Sequence, residues 1–155
     1  MLATETNHSC DYCRWVAGLD RPVGGILLET SDWVVIHHQK IPCPIPGWIH
    51  VVSRHHTPVF GQLSETSRSG LFRLLESLTQ TLTQLTRADA VDWVMFPSAG
   101  GHWNAQLIPV NRSVPPDFRG PALFSWQPDM PSGILGVEGF CDHFRSFQAE
   151  SLSRI

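Results

Sequence analysis

The sequence predicts an α+β domain, with an antiparallel sheet of about five strands, one long helix packed across it and a second helix at the C-terminus. Three observations predict it. Five short β-prone runs alternate with turn-forming residues. Leu71, Leu74, Leu75, Leu78, Leu82 and Leu85 recur at three- and four-residue spacing, the mark of one apolar helical stripe. The 155 residues fit one compact domain and leave no room for a second of ordinary size. A core over about residues 10–110 and a C-terminal extension over about 111–155 are expected.

The elements follow in order. The chain to about Pro22 is irregular, with a short helix over 11–17. Gly24-Gly25 is a break. Residues 26–29 and 32–37 read as a hairpin around Thr30-Ser31. His38 to Pro46 is a loop stiffened by Pro42, Pro44 and Pro46, and Trp48 to Ser53 is the third strand. Ser64 is the N-cap of the long helix, with Glu65 near the positive end of its dipole, and the helix runs to about Thr86. Its leucine stripe belongs to a core or a dimer interface. Val91–Phe96 and His102–Val110 are the fourth and fifth strands, joined by the tight loop Pro97-Ser98-Ala99-Gly100-Gly101. Residues 111–133, rich in Pro and Gly, wrap the surface. Val137 to about Leu152 forms the last helix, with Phe140, Phe144 and Phe147 facing inward.

Composition removes several function classes. The net charge is -3 and the 11 Lys and Arg residues are scattered, so there is no basic stripe for nucleic acid. No run of about 20 apolar residues suits a membrane span. The N-terminal residues lack the basic start and apolar stretch of a secretory signal, so the expected compartment is the cytoplasm. Thiols stay reduced there, and Cys10-x-x-Cys13 reads as metal-binding or redox-active.

The segment His102-Trp103-Asn104-Ala105-Gln106-Leu107-Ile108-Pro109 carries the most chemistry. A strand has a side-chain period of two, so His102, Asn104 and Gln106 share one face and Trp103, Ala105 and Leu107 the other. Three hydrogen-bonding side chains in a row can hold a phosphate or a metal. The same alternation also describes a half-exposed strand with a polar solvent side.

Its flanks sharpen the reading. The pattern His-φ-X-φ-X-φ-φ-Pro, with φ apolar, resembles the signature strand of the histidine-triad (HIT) superfamily of nucleotide hydrolases and transferases. Cys10-x-x-Cys13 and the run Pro46-Gly47-Trp48-Ile49-His50-Val51-Val52-Ser53-Arg54-His55-His56 resemble further landmarks of that family in the same order. So does the long helix after them. Arg119 to Phe124 resembles tails of some bacterial members.

The resemblance implies a structural zinc ion held by Cys10, Cys13, His56 and His102, with His55 as the competitor one residue before His56. Four protein ligands make a closed site. It also implies that the position of the nucleophilic histidine is occupied by Asn104. An amide offers no basic lone pair to attack phosphorus. Losing a covalent nucleophile costs about four to six orders of magnitude in rate. Gln106 fills the third triad position, as Gln does in the related uridylyltransferases, and can still meet a phosphate oxygen. His50, on the central strand, is the candidate for a relocated nucleophile. Ser98, Gly100 and Gly101 can offer backbone N–H groups to an anion beside Asn104 and Gln106. The loop His37-His38-Gln39-Lys40-Ile41 lacks the acid that often binds ribose in the family.

The reading that follows is a HIT-like protein that has lost nucleotide hydrolysis and binds a nucleotide or other small ligand in the ancestral pocket. A repurposed, zinc-dependent enzyme of specialised biosynthesis is the alternative. Weak phosphohydrolase or nucleotidyltransferase activity is a further one. Family members commonly form homodimers, so a homodimer is expected.

Overall fold

A computed structural model describes residues 7–97 and 100–152. The chain forms α1 (Asp11–Val16), β1 (Ile26–Glu29), β2 (Trp33–His37), β3 (Ile49–Ser53), α2 (Glu65–Thr86), β4 (Ala90–Pro97), β5 (Trp103–Val110) and α3 (Ile134–Leu152). The strands make one antiparallel sheet in the order β1-β2-β3-β5-β4. The sheet, the long helix and the C-terminal helix are the architecture expected from the sequence. The last helix starts earlier than expected, at Ile134, because its amphipathic pattern only becomes legible from Val137 onward.

The helix-side core explains the leucine stripe. Leu71, Leu75, Leu78 and Leu82 are fully buried against Trp33, Val35, Ile49, Val51, Trp103, Ala105 and Leu107, with Leu74 and Leu85 half-buried at the margin. Phe144 of α3 lies in the same core, and Phe140 packs on its edge. The Ser64 hydroxyl accepts the Ser67 N–H at 3.0 Å and so caps α2. Ser67 ties the helix start to the β1–β2 turn: its hydroxyl donates to Asp32 at 2.6 Å, and its carbonyl accepts the Trp33 indole N–H at 3.2 Å.

The opposite face carries two apolar patches. Val34, Ile36 and Val52 lie under Tyr12, Trp15 and Val16 of α1. Trp48, Ile108 and Val110 lie under Val114 and Leu123 of the C-terminal extension, whose segments Pro116–Phe118 and Gly120–Ser125 are short 3-10 turns. Between the patches runs a polar strip. Antiparallel pairing sets His50 opposite Gln106 and Val52 opposite Asn104, and the period of two puts all four on this face.

The Pro46-Gly47 turn that leads into β3 admits only glycine. Gly47 has φ +88°, and a Cβ there would lie 2.9 Å from Thr86 Cγ2 and 3.1 Å from the Phe140 ring. Its N–H donates to His37 Nε2 at 3.1 Å, and His37 Nδ1 donates in turn to the His38 carbonyl at 2.9 Å. His37 is therefore a fully buried brace of the turn.

Among the described residues no helix is long and apolar enough to cross a membrane. Truncating Leu78 to Ala should cost about 2–5 kcal/mol of unfolding free energy, because a fully buried leucine leaves a cavity. The same change at Leu135, which is 80 % exposed, should stay within about 0.5 kcal/mol. Urea denaturation of the two variants checks the contrast.

Candidate functional site

Four donors converge where α1 meets the ends of β3 and β5. Cys10 is the N-cap of α1 and Cys13 lies one turn inside it, so both thiols leave the same side of the helix start. His56 follows the end of β3 and His102 precedes β5. These two ends are neighbours because the strands are antiparallel. The Trp103 N–H donates to the Thr57 carbonyl at 2.7 Å and fastens the two chain segments together. Of the two competing histidines, His56 and not His55 joins the cluster.

The four ligand atoms lie within 4.8 Å of one another. Cys10 Sγ is 3.4 Å from His102 Nδ1, and Cys13 Sγ is 3.5 Å from His102 Nδ1 and 3.2 Å from His56 Nδ1. Bond lengths of about 2.3 Å to sulfur and about 2.0 Å to nitrogen put the S···N edge of a tetrahedron at about 3.5 Å. The donors thus already stand at the separations that one small ion needs. The other nitrogen of the His102 ring, Nε2, donates to the Ser53 carbonyl at 2.7 Å. This fixes the tautomer that carries its lone pair on Nδ1, facing the two thiols, the usual second-partner arrangement of a metal-bound histidine. Burial, and Cys10 beside it, push the Cys13 thiol up to about 11, so its thiolate needs a cation to stabilise it. The residues present fit a metal ion.

The polar strip along β5 is satisfied internally. The Asn104 side-chain amide is wholly buried and donates to the Phe96 carbonyl at 3.3 Å and the His102 carbonyl at 3.2 Å. Its oxygen accepts from Gln106 Nε2 at 3.3 Å, and Gln106 Oε1 accepts the Trp48 indole N–H at 2.9 Å. The array of hydrogen-bonding side chains expected from the alternation exists, but it is a sealed ladder and not a solvent-facing one. Ser98 lies outside the described residues. Gly101 follows with φ +71°.

Next to the strip is a cavity of about 290 Å³ between α1 and the loop after β2. Tyr12, Trp15, His38, Lys40, His50 and Gly100 are among its walls. The Tyr12 hydroxyl is 2.6 Å from His50 Nδ1, and His50 Nε2 is 3.0 Å from His38 Nδ1. The His38 ring stacks on Trp48 at 4.2 Å with an interplanar angle of 15°, which sets its plane. Burial pushes His50 down to about 3 and His38 down to about 4, so both rings are neutral at pH 7. Sequence reasoning placed His50 at a pocket but missed Tyr12 and the His38–Trp48 stack. The available signal was position: Tyr12 lies inside the Cys-x-x-Cys turn, and a clamp on that turn must aim its side chain at the sheet.

No family model and no curated protein match the chain. Solved structures do. A zinc-bound histidine-triad family protein from Mycobacterium smegmatis superposes with a TM-score of 0.67 at 16% identity, covering 95% of this chain and 98% of that one. A hypothetical histidine-triad nucleotide-binding protein from Sulfolobus tokodaii gives 0.65 at 15% identity, over 88% and 90%. A diadenosine triphosphate hydrolase from Plasmodium falciparum gives 0.59 at 12% identity, over 81% and 76%. The chain has the histidine-triad fold.

The buried neutral histidines make stability depend on acid. The unfolded chain binds protons at these rings near pH 6.5, whereas the folded chain resists until about pH 4 at His38 and about pH 3 at His50. Stability is therefore complete above pH 6.5 and is lost as pH falls through that window. Between pH 6.5 and 4.5 the His50 contribution to the loss should be about 2 kcal/mol. Urea midpoints against pH measure it, and His50→Gln should flatten the slope over that range.

Proposed function

We infer that this histidine-triad fold keeps the pocket architecture of a nucleotide-binding protein without the nucleophile, and binds a nucleotide or other small ligand. Asn104 carries the reading. It is the second residue of β5, where the family resemblance expects the attacking imidazole, and its amide is committed to the Phe96 and His102 carbonyls. A side chain with no basic nitrogen, already hydrogen-bonded at both ends, cannot form a nucleotidyl intermediate. Gly100 lies on the cavity wall, and the resemblance makes Ser98, Gly100 and Gly101 the expected donor group for a phosphate, whereas Gln106 is hydrogen-bonded to Trp48 and Asn104.

The metal is zinc in this reading. Two thiolates and two imidazoles at tetrahedral spacing suit zinc, and all four positions come from protein, so the ion would brace α1 against the sheet and would not activate water. The zinc named in the Mycobacterium smegmatis protein supports this choice. A homodimer is supported by β4. It is an edge strand, and Trp93, Met95 and Phe96 on it are each about 40 % exposed. The cytoplasm is the compartment in this reading, since Cys10 and Cys13 must stay reduced to hold the metal.

Two measurements test the reading. Purified protein should cleave adenosine phosphoramidate and diadenosine polyphosphates at least about 10⁴-fold more slowly than an intact triad enzyme. Nucleotides should nevertheless raise its melting temperature. Asn104→His should then raise the cleavage rate, and rapid cleavage by the unmodified chain, or no stabilisation by any nucleotide, would remove the claim. For the metal, elemental analysis should find one zinc per chain. Chelation or Cys13→Ser should lower the melting temperature by about 10 °C or more, because binding energy at such a site is folding energy.

A further inference from the structure

We propose that the cleft between the α1–β1 loop and α3 is a second binding site, built for a small monocarboxylate with an aromatic or branched apolar body, and that Arg21 clasps the carboxylate beside Arg145. The cleft has a volume of about 590 Å³. It shares only Trp15 with the walls of the cavity near His50, so the inference does not rest on the nucleotide reading.

The backbone of the cleft is braced by α3. Gly24 packs directly on Cys141 of that helix. Arg145, one turn further on, donates Nη1 to the Gly24 carbonyl at 2.7 Å and to the Ile26 carbonyl at 3.3 Å. Gly25 is buried with φ +72° and presents a bare α-carbon. A Cβ there would lie 3.4 Å from Arg21 Nη2, 3.5 Å from Arg21 Nε and 3.7 Å from Arg145 Nη1. Two guanidinium groups therefore converge on the place that a side chain would fill.

The charges there do not balance. Arg145 Nη2 is matched by Asp142 at 2.6 Å. Asp20, on the wall, is held by Arg14 through both carboxylate oxygens, at 2.5 Å and 3.1 Å. Arg21 makes no hydrogen bond or ion pair with any described residue. Its donors lie beside a second guanidinium with no anion between the two, and like charges this close repel. One carboxylate laid against Arg21 cancels the surplus and accepts two parallel N–H groups, the geometry that a guanidinium fork matches best. A single unmatched positive charge suits a monoanion. It disfavours a phosphate dianion or a polyphosphate chain, for which Asp20 and Asp142 are repulsive neighbours.

The rest of the wall is apolar. Trp15, Leu19, Pro22 and Ile26 line it, and Leu19 is 52 % exposed. The half-buried Trp15 offers ring surface to a flat guest. The volume falls inside the usual range of about 300–1,000 Å³ for small-molecule clefts, so a ring-sized body fits. The ligand that uses both the guanidinium and the apolar wall is an amphipathic acid. Its binding ties the α1–β1 loop to α3.

The test titrates phenylacetate into the protein as isolated, followed by ¹H–¹⁵N spectra. The Gly25 amide and the Trp15 indole N–H should shift and saturate. Phenylacetamide, the same body without the charge, should bind about 10- to 100-fold more weakly, and Arg21→Gln should weaken phenylacetate by a similar factor. Arg21 is exposed and has no partner among the described residues, so that variant should melt with the unmodified chain. Arg112→Gln makes the same change in net charge at an exposed position after β5, and it should leave binding unaltered. No saturation, equal binding of phenylacetamide, or undiminished binding by Arg21→Gln would overturn the site. Inorganic phosphate competing as strongly as phenylacetate would overturn the choice of ligand. A mononucleotide that shifts Gly25 and leaves Gly100 unmoved would overturn the separation of the two cavities.

Discussion

The convergence of Cys10, Cys13, His56 and His102 is the constraint on which the non-helical face of the sheet depends. A six-residue helix cannot hold itself in water, since nucleation is costly and so short a helix makes few internal hydrogen bonds. Its apolar contribution is small: Tyr12, Trp15 and Val16 are only partly buried on Val34, Ile36 and Val52. What keeps the helix over the sheet is the cluster at its start, where two of its side chains meet two histidines from strand ends. With α1 in place, Tyr12 reaches His50 and one wall of the cavity exists.

The sheet supplies the other half of the arrangement. Antiparallel pairing of β3 with β5 brings the end of one strand beside the start of the other, so two histidines 46 positions apart in the chain (56 and 102) become neighbours. The same register sets His50 opposite Gln106 and makes the strip polar through the middle of an otherwise apolar face. Buried polar groups must be paired, and here they are: Trp48, Gln106 and Asn104 pass hydrogen bonds down to backbone carbonyls. The asparagine amide suits this role because it has two N–H donors and an acceptor oxygen, one donor more than a neutral imidazole, and all are used.

Much of the fold was legible. The leucine spacing located α2, the alternation of residues 102–110 located β5, and the family resemblance ordered the donors of the cluster. His56 could not be separated from His55 by spacing, because the choice depends on how the chain turns after Ser53. The cavity was largely illegible. The stacking of His38 on Trp48 joins a loop residue to a strand residue, and no periodicity encodes it. The burial of Asn104 was equally hidden: alternation gives the face of a strand, whereas what covers that face is decided by α1 and by the extension holding Leu123.

The dipeptide inside the Cys-x-x-Cys turn links two sites that would otherwise be independent. Tyr12 belongs to the cavity, and its chain neighbour Cys13 belongs to the donor cluster. Any occupant that draws the ring inward pulls on the same backbone that the thiols hold. Thermodynamic reciprocity then requires the coupling to be mutual. Whatever factor a guest against the phenol would impose on the hold of the sulfur pair, an ion between the sulfurs would impose on the hold of the guest.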